Sequence, residues 1–168
     1  MHPHIPSKCQ FRADGIVADF NFLSVDDDGE IELYVELSCR PAYGDLVFRP
    51  RTFFYSISHL RLLIRYLEDH LARISDGKCA RAPHTFVLWH NAFMIDALEA
   101  YVSDDGAGFA LQFFIGLGGV IPLPHLLVGF DTTVDVASVS DFLAAYSTIL
   151  ANIEADLQYP NGGLFPGF

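Results

Sequence analysis

Residues 30 to 39 alternate without a fault. Ile31, Leu33, Val35, Leu37 and Cys39 fall on one parity, and Glu30, Glu32, Tyr34, Glu36 and Ser38 fall on the other. A period of two fits an extended strand with one buried and one wet face, and it fits no helix. Just upstream, Ile16, Ala18, Phe20 and Phe22 share a second apolar parity, with Asp19 and Asn21 opposite. The two runs are joined through Asp28-Gly29, a pair that tolerates the positive φ a tight hairpin turn needs. This part of the chain is therefore expected to form an antiparallel hairpin with one face for the core and one face of carboxylates.

The remaining segments extend that sheet and cover it. "RPAYGD" reads as a loop, and "LVFRPRTFFY" as a short edge strand interrupted at Pro50. From Ser56 the period changes: Ile57, Leu60, Ile64, Leu67, Leu71 and Ile74 place one apolar stripe down a helix over 56–75, with Arg61, Arg65, Asp69 and Arg73 opposite. Ser56 or Ser58 can cap its start, and Gly77 is a natural stop. "HTFVLWHN" reads as a buried strand. Residues 92–102 suit both periods, and the strand reading is preferred. Asp104-Asp105-Gly106 turns the chain into the alternation Phe109, Leu111, Phe113, Ile115, Leu117, and "LLVGFDTTV" gives a further strand. A last helix over 138–157 opens on a capping box, Ser138 to Asp141, and carries Phe142, Leu143, Tyr146, Ile149, Leu150, Ile153 and Leu157 on one side. Strands interrupted by two helices, without regular βαβ alternation, predict an α+β fold with a largely antiparallel sheet. One domain over 1–168 is expected, with a mobile N-terminal arm over 1–14 and an apolar tail over 160–168.

Charge narrows the partners. A net charge of −11 argues against binding nucleic acid or an anionic membrane, both of which call for Lys and Arg. It favours a basic protein, drawn in by long-range attraction. No apolar run approaches the ~20 residues of a bilayer span. The opening "MHPHIPSKCQ" has neither a basic nor an apolar leader segment, so a cytoplasmic location is expected. Cys9, Cys39 and Cys79 show no CxxC spacing and read as buried thiols.

Motifs for chemistry are thin. Aligned on Gly29, a calcium loop would put Ser24 at its first position and Val35 at its twelfth, where carboxylates are required. Glu30, Glu32 and Glu36 occupy a solvated parity, whereas acid–base work needs a shielded carboxyl of raised pKa. The seven His residues form neither HExxH nor a core HxH, so no metal site is expected. The glycines of "IGLGGVIPLP" are followed by prolines rather than by the helix a phosphate loop requires. No cofactor and no catalytic residue are predicted. Trp89 reads as a core residue or as an interface anchor.

The order of these segments resembles that of the WapI-type immunity proteins of bacterial polymorphic-toxin systems. Their leucine-rich helix is matched by "HLRLLIRYLEDHL" and their strand pair by "HTFVLWHNAFMIDALEAY". Their closing strand, helix and terminal dipeptide are similar to "LLVGFDTT", "VSDFLAAYSTILANIEADL" and "QYPNGG". The resemblance spans roughly residues 16 to 162, and implies an acidic, non-enzymatic cytosolic protein that binds and neutralises a cognate toxin. A basic toxin such as a nuclease would meet Asp26, Asp27, Asp28, Glu30, Glu32 and Glu36, with Tyr34 as an aromatic contact. Two other classes compete: a small-molecule-binding domain or hydrolase with a Phe-lined pocket near His84, His90 and Asp96, and an assembly subunit that docks through "GGLFPGF".

Overall fold

The computed structural model describes residues 4–26, 28–39, 46–49, 52–78, 81–88, 93–103, 106–116 and 127–158. In chain order these form β1 (His4–Ala13), β2 (Ile16–Val25), β3 (Glu30–Cys39), β4 (Leu46–Phe48), β5 (Phe53–Ser56) and α1 (Ile57–Ser75). There follow β6 (Phe86–Leu88), β7 (Phe93–Ser103), β8 (Gly106–Gly116), β9 (Leu127–Asp135) and α2 (Val136–Gln158). The fold is α+β. One antiparallel sheet runs β1-β2-β3, with β4 and β5 both paired to the far side of β3. A second runs β6-β7-β8-β9. The chain thus makes strands and a helix, then strands and a helix again.

The predicted hairpin is β2–β3, in register from Ile16 opposite Cys39 to Val25 opposite Ile31. Ile31, Leu33, Val35, Leu37 and Cys39 are buried, as the alternation requires. The ambiguous segment 92–102 falls largely in strand β7, whose Phe93, Ile95 and Ala97 are fully buried.

Inner faces of both sheets meet in one aromatic core. Phe11 of β1 lies 5.8 Å from Phe113 of β8, and Phe20 of β2 lies 5.5 Å from Phe93 of β7. From α2, Phe142 and Tyr146 insert beside Phe11, Phe20 and Phe22. Edge-to-face and tilted contacts of this kind add to the area that each ring buries. Where β1 turns into β2, Asp14 N donates to Thr133 O of β9 at 2.9 Å, and Thr132 Oγ1 donates to Asp14 O at 2.7 Å. These bonds tie the edges of the two sheets together. Helix α1 is fastened to the second sheet by Tyr66, whose buried Oη accepts from Ala97 N at 2.8 Å.

Three expectations are corrected. Residues 4–13 are not a loose arm but strand β1, paired with β2 from Ser7 opposite Phe22 to Ala13 opposite Ile16. Cys9 and Phe11 point to the core while Lys8, Gln10 and Arg12 alternate outward. Helix α2 starts at Val136, two residues early, because Asp135 rather than Ser138 supplies the cap. Its Oδ1 accepts from Ser138 N at 2.6 Å and its Oδ2 from Ser138 Oγ at 2.7 Å. These donors hold the Asp135 carboxyl below its usual range. The buried side of α1 is Leu60, Leu63, Tyr66, Leu67, His70 and Ile74, which shares Leu60, Leu67 and Ile74 with the predicted stripe and adds Leu63, Tyr66 and His70. Ile57, Ile64 and Leu71 flank it, half-buried. Its ends are as expected: Ser56 caps the start, and Gly77 follows the helix at φ +75°. By length and composition residues 136–157 of α2 could cross a bilayer, at mean hydropathy 1.3. Their apolar side, Val139, Phe142, Tyr146, Leu150 and Ile153, is buried in the core instead.

Residues 160–168, Trp89, His90, Cys79 and the glycine loop 116–119 beyond Gly116 lie outside the described residues.

Candidate functional site

The hairpin tip is built by Asp26. Its Oδ1 accepts from Asp28 N at 3.0 Å and from Glu30 N at 2.8 Å, while Asp26 N donates to Glu30 O at 2.9 Å. Gly29 N donates back to Asp26 O at 3.1 Å, and Gly29 sits at φ +78°, where a side chain would be strained. A short carboxylate that bonds backbone two residues on is the turn-forming use of Asp. Asp26 is thus committed to the turn, and Asp28 and Glu30 are the exposed carboxylates. Asp27 lies outside the described residues.

Along β3 the outer carboxylates acquire donors. Glu32 Oε2 accepts from Ser24 Oγ at 2.8 Å. Glu36 stands directly opposite Asp19 on β2, a like-charge pair that alone would be unfavourable. Each member has a cation of its own. Lys8 Nζ lies 2.8 Å from Asp19, and Arg49, just past β4, pairs with Glu36 through Nε at 2.5 Å and through Nη2. The same guanidinium sits 5.6 Å above the Tyr34 ring. Glu30, Glu32, Tyr34 and Glu36 therefore do share one face, over about 20 Å of strand. Negative charge without a nearby cation is concentrated at the tip, where no described cation pairs with Asp28 or Glu30.

A second region was not visible from sequence. Between the C-terminal half of α1 and residues 81–84 lies a cavity of about 350 Å³, lined by Tyr66, His70, Arg73, Ala82, Pro83 and His84, among others. His70 is 1% exposed, its ring set edge-on to Phe109 at 4.5 Å, and neither ring nitrogen has a hydrogen-bond partner among the described residues. Burial, and secondarily the charge of Arg73, push its pKa down, so it is held neutral. The spacing signal existed. Leu60, Leu63, Leu67, His70 and Ile74 follow a 3-4-3-4 pattern, but a count of apolar residues skips the histidine.

Asp96, expected beside His84 in a pocket, is buried and engaged by Arg81, whose Nε lies at 3.3 Å and whose Nη2 also bonds it. Cys9 and Cys39 are buried thiols. Burial, with Asp19 contributing, pushes Cys9 up to about 12, which removes it as a nucleophile near neutral pH. Among the described residues, no three His, Cys, Asp or Glu side chains are grouped to hold a metal ion.

No family model matches the chain, and no curated protein matches it. Among solved structures, one similar chain comes from the crystal structures of Trypanosoma bruciei MRP1/MRP2. It shares 12% identity over 96% of this chain and 88% of that one, with a TM-score of 0.32. A likeness at that level transfers nothing to this chain.

Proposed function

We propose that the chain is a binding protein for a basic protein partner, in the toxin-neutralising role of a bacterial cytoplasmic immunity protein. The observation that carries this reading is the hairpin tip. Asp28 and Glu30 project there without a described cation, next to Glu32, on a turn held rigid by Asp26. A preorganised acidic edge on a chain of net charge −11 attracts a cationic surface and limits the ordering cost on contact. Tyr34 and Glu36, bridged by Arg49, form a polar shoulder behind it and contribute shape more than charge. A nuclease toxin, whose own site is built for phosphates, is the partner such an edge would occlude.

The test is co-expression with the product of the adjacent upstream gene, scoring rescue of growth from any toxicity and co-purification. The double reversal Glu30→Lys, Glu32→Lys is expected to lower the association rate by about tenfold or more at low salt. The melting temperature should change little. Absence of both rescue and co-purification would remove the immunity role, and an unchanged association rate would remove this edge.

A further inference from the structure

We propose that the outer face of the second sheet is the contact surface of a symmetric homodimer, packing on the same face of a second copy of this chain. The surface is separate from the β2–β3 hairpin. Phe109, Leu111, Phe113 and Ile115 of β8 are fully buried, so Gly108, Ala110, Gln112 and Phe114 point the other way. Both helices meet the sheet from its inner side. His70 of α1 touches Phe109, and Phe142 of α2 touches Phe11, which itself lies against Phe113. Among the described residues no element covers the outer side. One row crosses it from edge to edge: Val87 stands opposite Met94, Met94 opposite Phe114, and Phe114 opposite Gly129. Met94 and Phe114 are half-buried, and Val87 and Tyr101 are exposed.

Two glycines flatten this face. The Phe114 ring lies over Gly129 and the Tyr101 ring over Gly108, so an added Cβ would sit 2.6 Å from Phe114 Cε1 or 2.5 Å from Tyr101 Oη. Each ring rests against backbone instead of standing up from the sheet. A flat apolar sheet face suits a second such face, packed about 10 Å away. The outer face of the first sheet is built differently and carries Lys8, Arg12, Asp19, Glu32 and Glu36.

Charge and area select the occupant. On the outer parity of the second sheet the described carboxylates are Asp131 and Asp96, and Arg81 neutralises Asp96. Glu99 lies at the bulge of β7. A basic partner finds little to hold there. Two copies of net charge −11 repel one another, and a face nearly free of charge is where they meet at least cost. Strands β7, β8 and β9, of nine to eleven residues each, cover about 500 Å² at a spacing of about 4.8 Å. Two copies then bury about 1,000 Å², the lower bound for a specific interface, which fits a weak dimer of roughly micromolar affinity.

Sedimentation equilibrium of the full chain, from about 1 μM to about 300 μM, tests this. A monomer that passes to a dimer with concentration is expected. Added salt should strengthen the dimer, because it screens the repulsion of like charges, whereas it would weaken a basic partner's hold on the hairpin. Each substitution acts twice in a symmetric dimer. Phe114→Ser should therefore weaken association at least tenfold, and Met94→Gln, which keeps the side-chain length, at least threefold with an unchanged melting temperature. Phe54→Ser removes a ring that is 49% exposed beside Glu32 on the outer face of the first sheet, and should leave the dimer intact. A chain that stays monomeric throughout overturns the proposal and leaves the face to some other partner. Equal loss in F54S and M94Q, or a dimer that weakens with salt, also overturns it, because either outcome places the contact elsewhere.

Discussion

On the outer face of the β2–β3 hairpin, the side chains that look most available in the sequence are largely engaged. Asp26 holds the turn, Glu32 takes a serine hydroxyl, and Glu36 and Asp19 each take a cation. On α1 the relation is reversed. His70 and Arg73 stand among ordinary helix residues, yet among the described residues no group bonds the buried imidazole and no carboxylate pairs with the half-buried guanidinium. A solvated face has room to satisfy its charges with neighbours from other strands. A helix face turned to a cavity has fewer groups within reach, so an unmet donor there carries more information than a row of exposed acids.

The largest effect that sharpens this contrast is at Asp26. Asp26→Ala removes two charge-assisted bonds to backbone N–H groups of the turn, and a loss of about 2 kcal/mol is expected. A urea titration checks it, with a lower midpoint and an unchanged slope. If Asp26 were a free contact residue like Glu30, the midpoint would not move. Gly29→Ala comes next, at about 1 kcal/mol, since φ +78° is disfavoured for a side chain and no atom lies within 4 Å of an added Cβ. The cost is conformational and not steric, so Gly29→Asn should recover part of it.

His70 offers a pH test of the other side of the comparison. Its folded pKa is lowered from the ordinary ~6.5 by burial and then by Arg73. Above about pH 6.5 the ring is neutral in both states and gives no pH dependence. As pH falls below that value the unfolded chain takes up a proton that the folded chain refuses. Stability therefore declines until the folded pKa is reached, and then levels. His70→Phe should remove this part of the decline and leave stability at pH 7 within about 1 kcal/mol of the parent, because no hydrogen bond to a described residue is lost. Melting curves between pH 5 and pH 8, about the ordinary His range, measure both. A variant whose acid sensitivity matched the parent would show that His70 does not carry it.

What could be read in advance follows the range of the interactions. The hairpin register and the existence and ends of α1 depend on local period and on Asp28-Gly29, Ser56 and Gly77, all visible in a short window. Strand β1 also alternates, at Cys9, Phe11 and Ala13, but Pro3 and Pro6 masked it as an arm. Its pairing with β2 and the packing of Phe11 against Phe113 decide the matter from residues far along the chain. The hairpin carboxylates were found on the expected face, yet their engagement was not legible. Arg49 reaches Glu36 because β4 pairs with the far edge of β3, a register that no local pattern encodes. The cavity was missed for the same reason, since residues 81–84 meet α1 through tertiary packing.

The smallest expected effect is on stability at Glu30, and its smallness is what makes it useful. Glu30 is exposed, and its carboxylate takes no described hydrogen bond or ion pair, although its backbone N–H is held by Asp26. Glu30→Gln keeps that backbone bond and the side-chain volume, so the unfolding midpoint should stay within the equivalent of about 0.5 kcal/mol. Neutralising Glu36 instead strips Arg49 and the Tyr34 shoulder of their anion, so the two glutamates, alike in the alternation, should separate in a salt titration of stability. Glu36→Gln should abolish a salt-sensitive share that Glu30→Gln leaves intact. Equal behaviour of the two would mean that the Arg49 bridge adds nothing in solution. The whole strand face would then belong to the acidic edge offered to a partner.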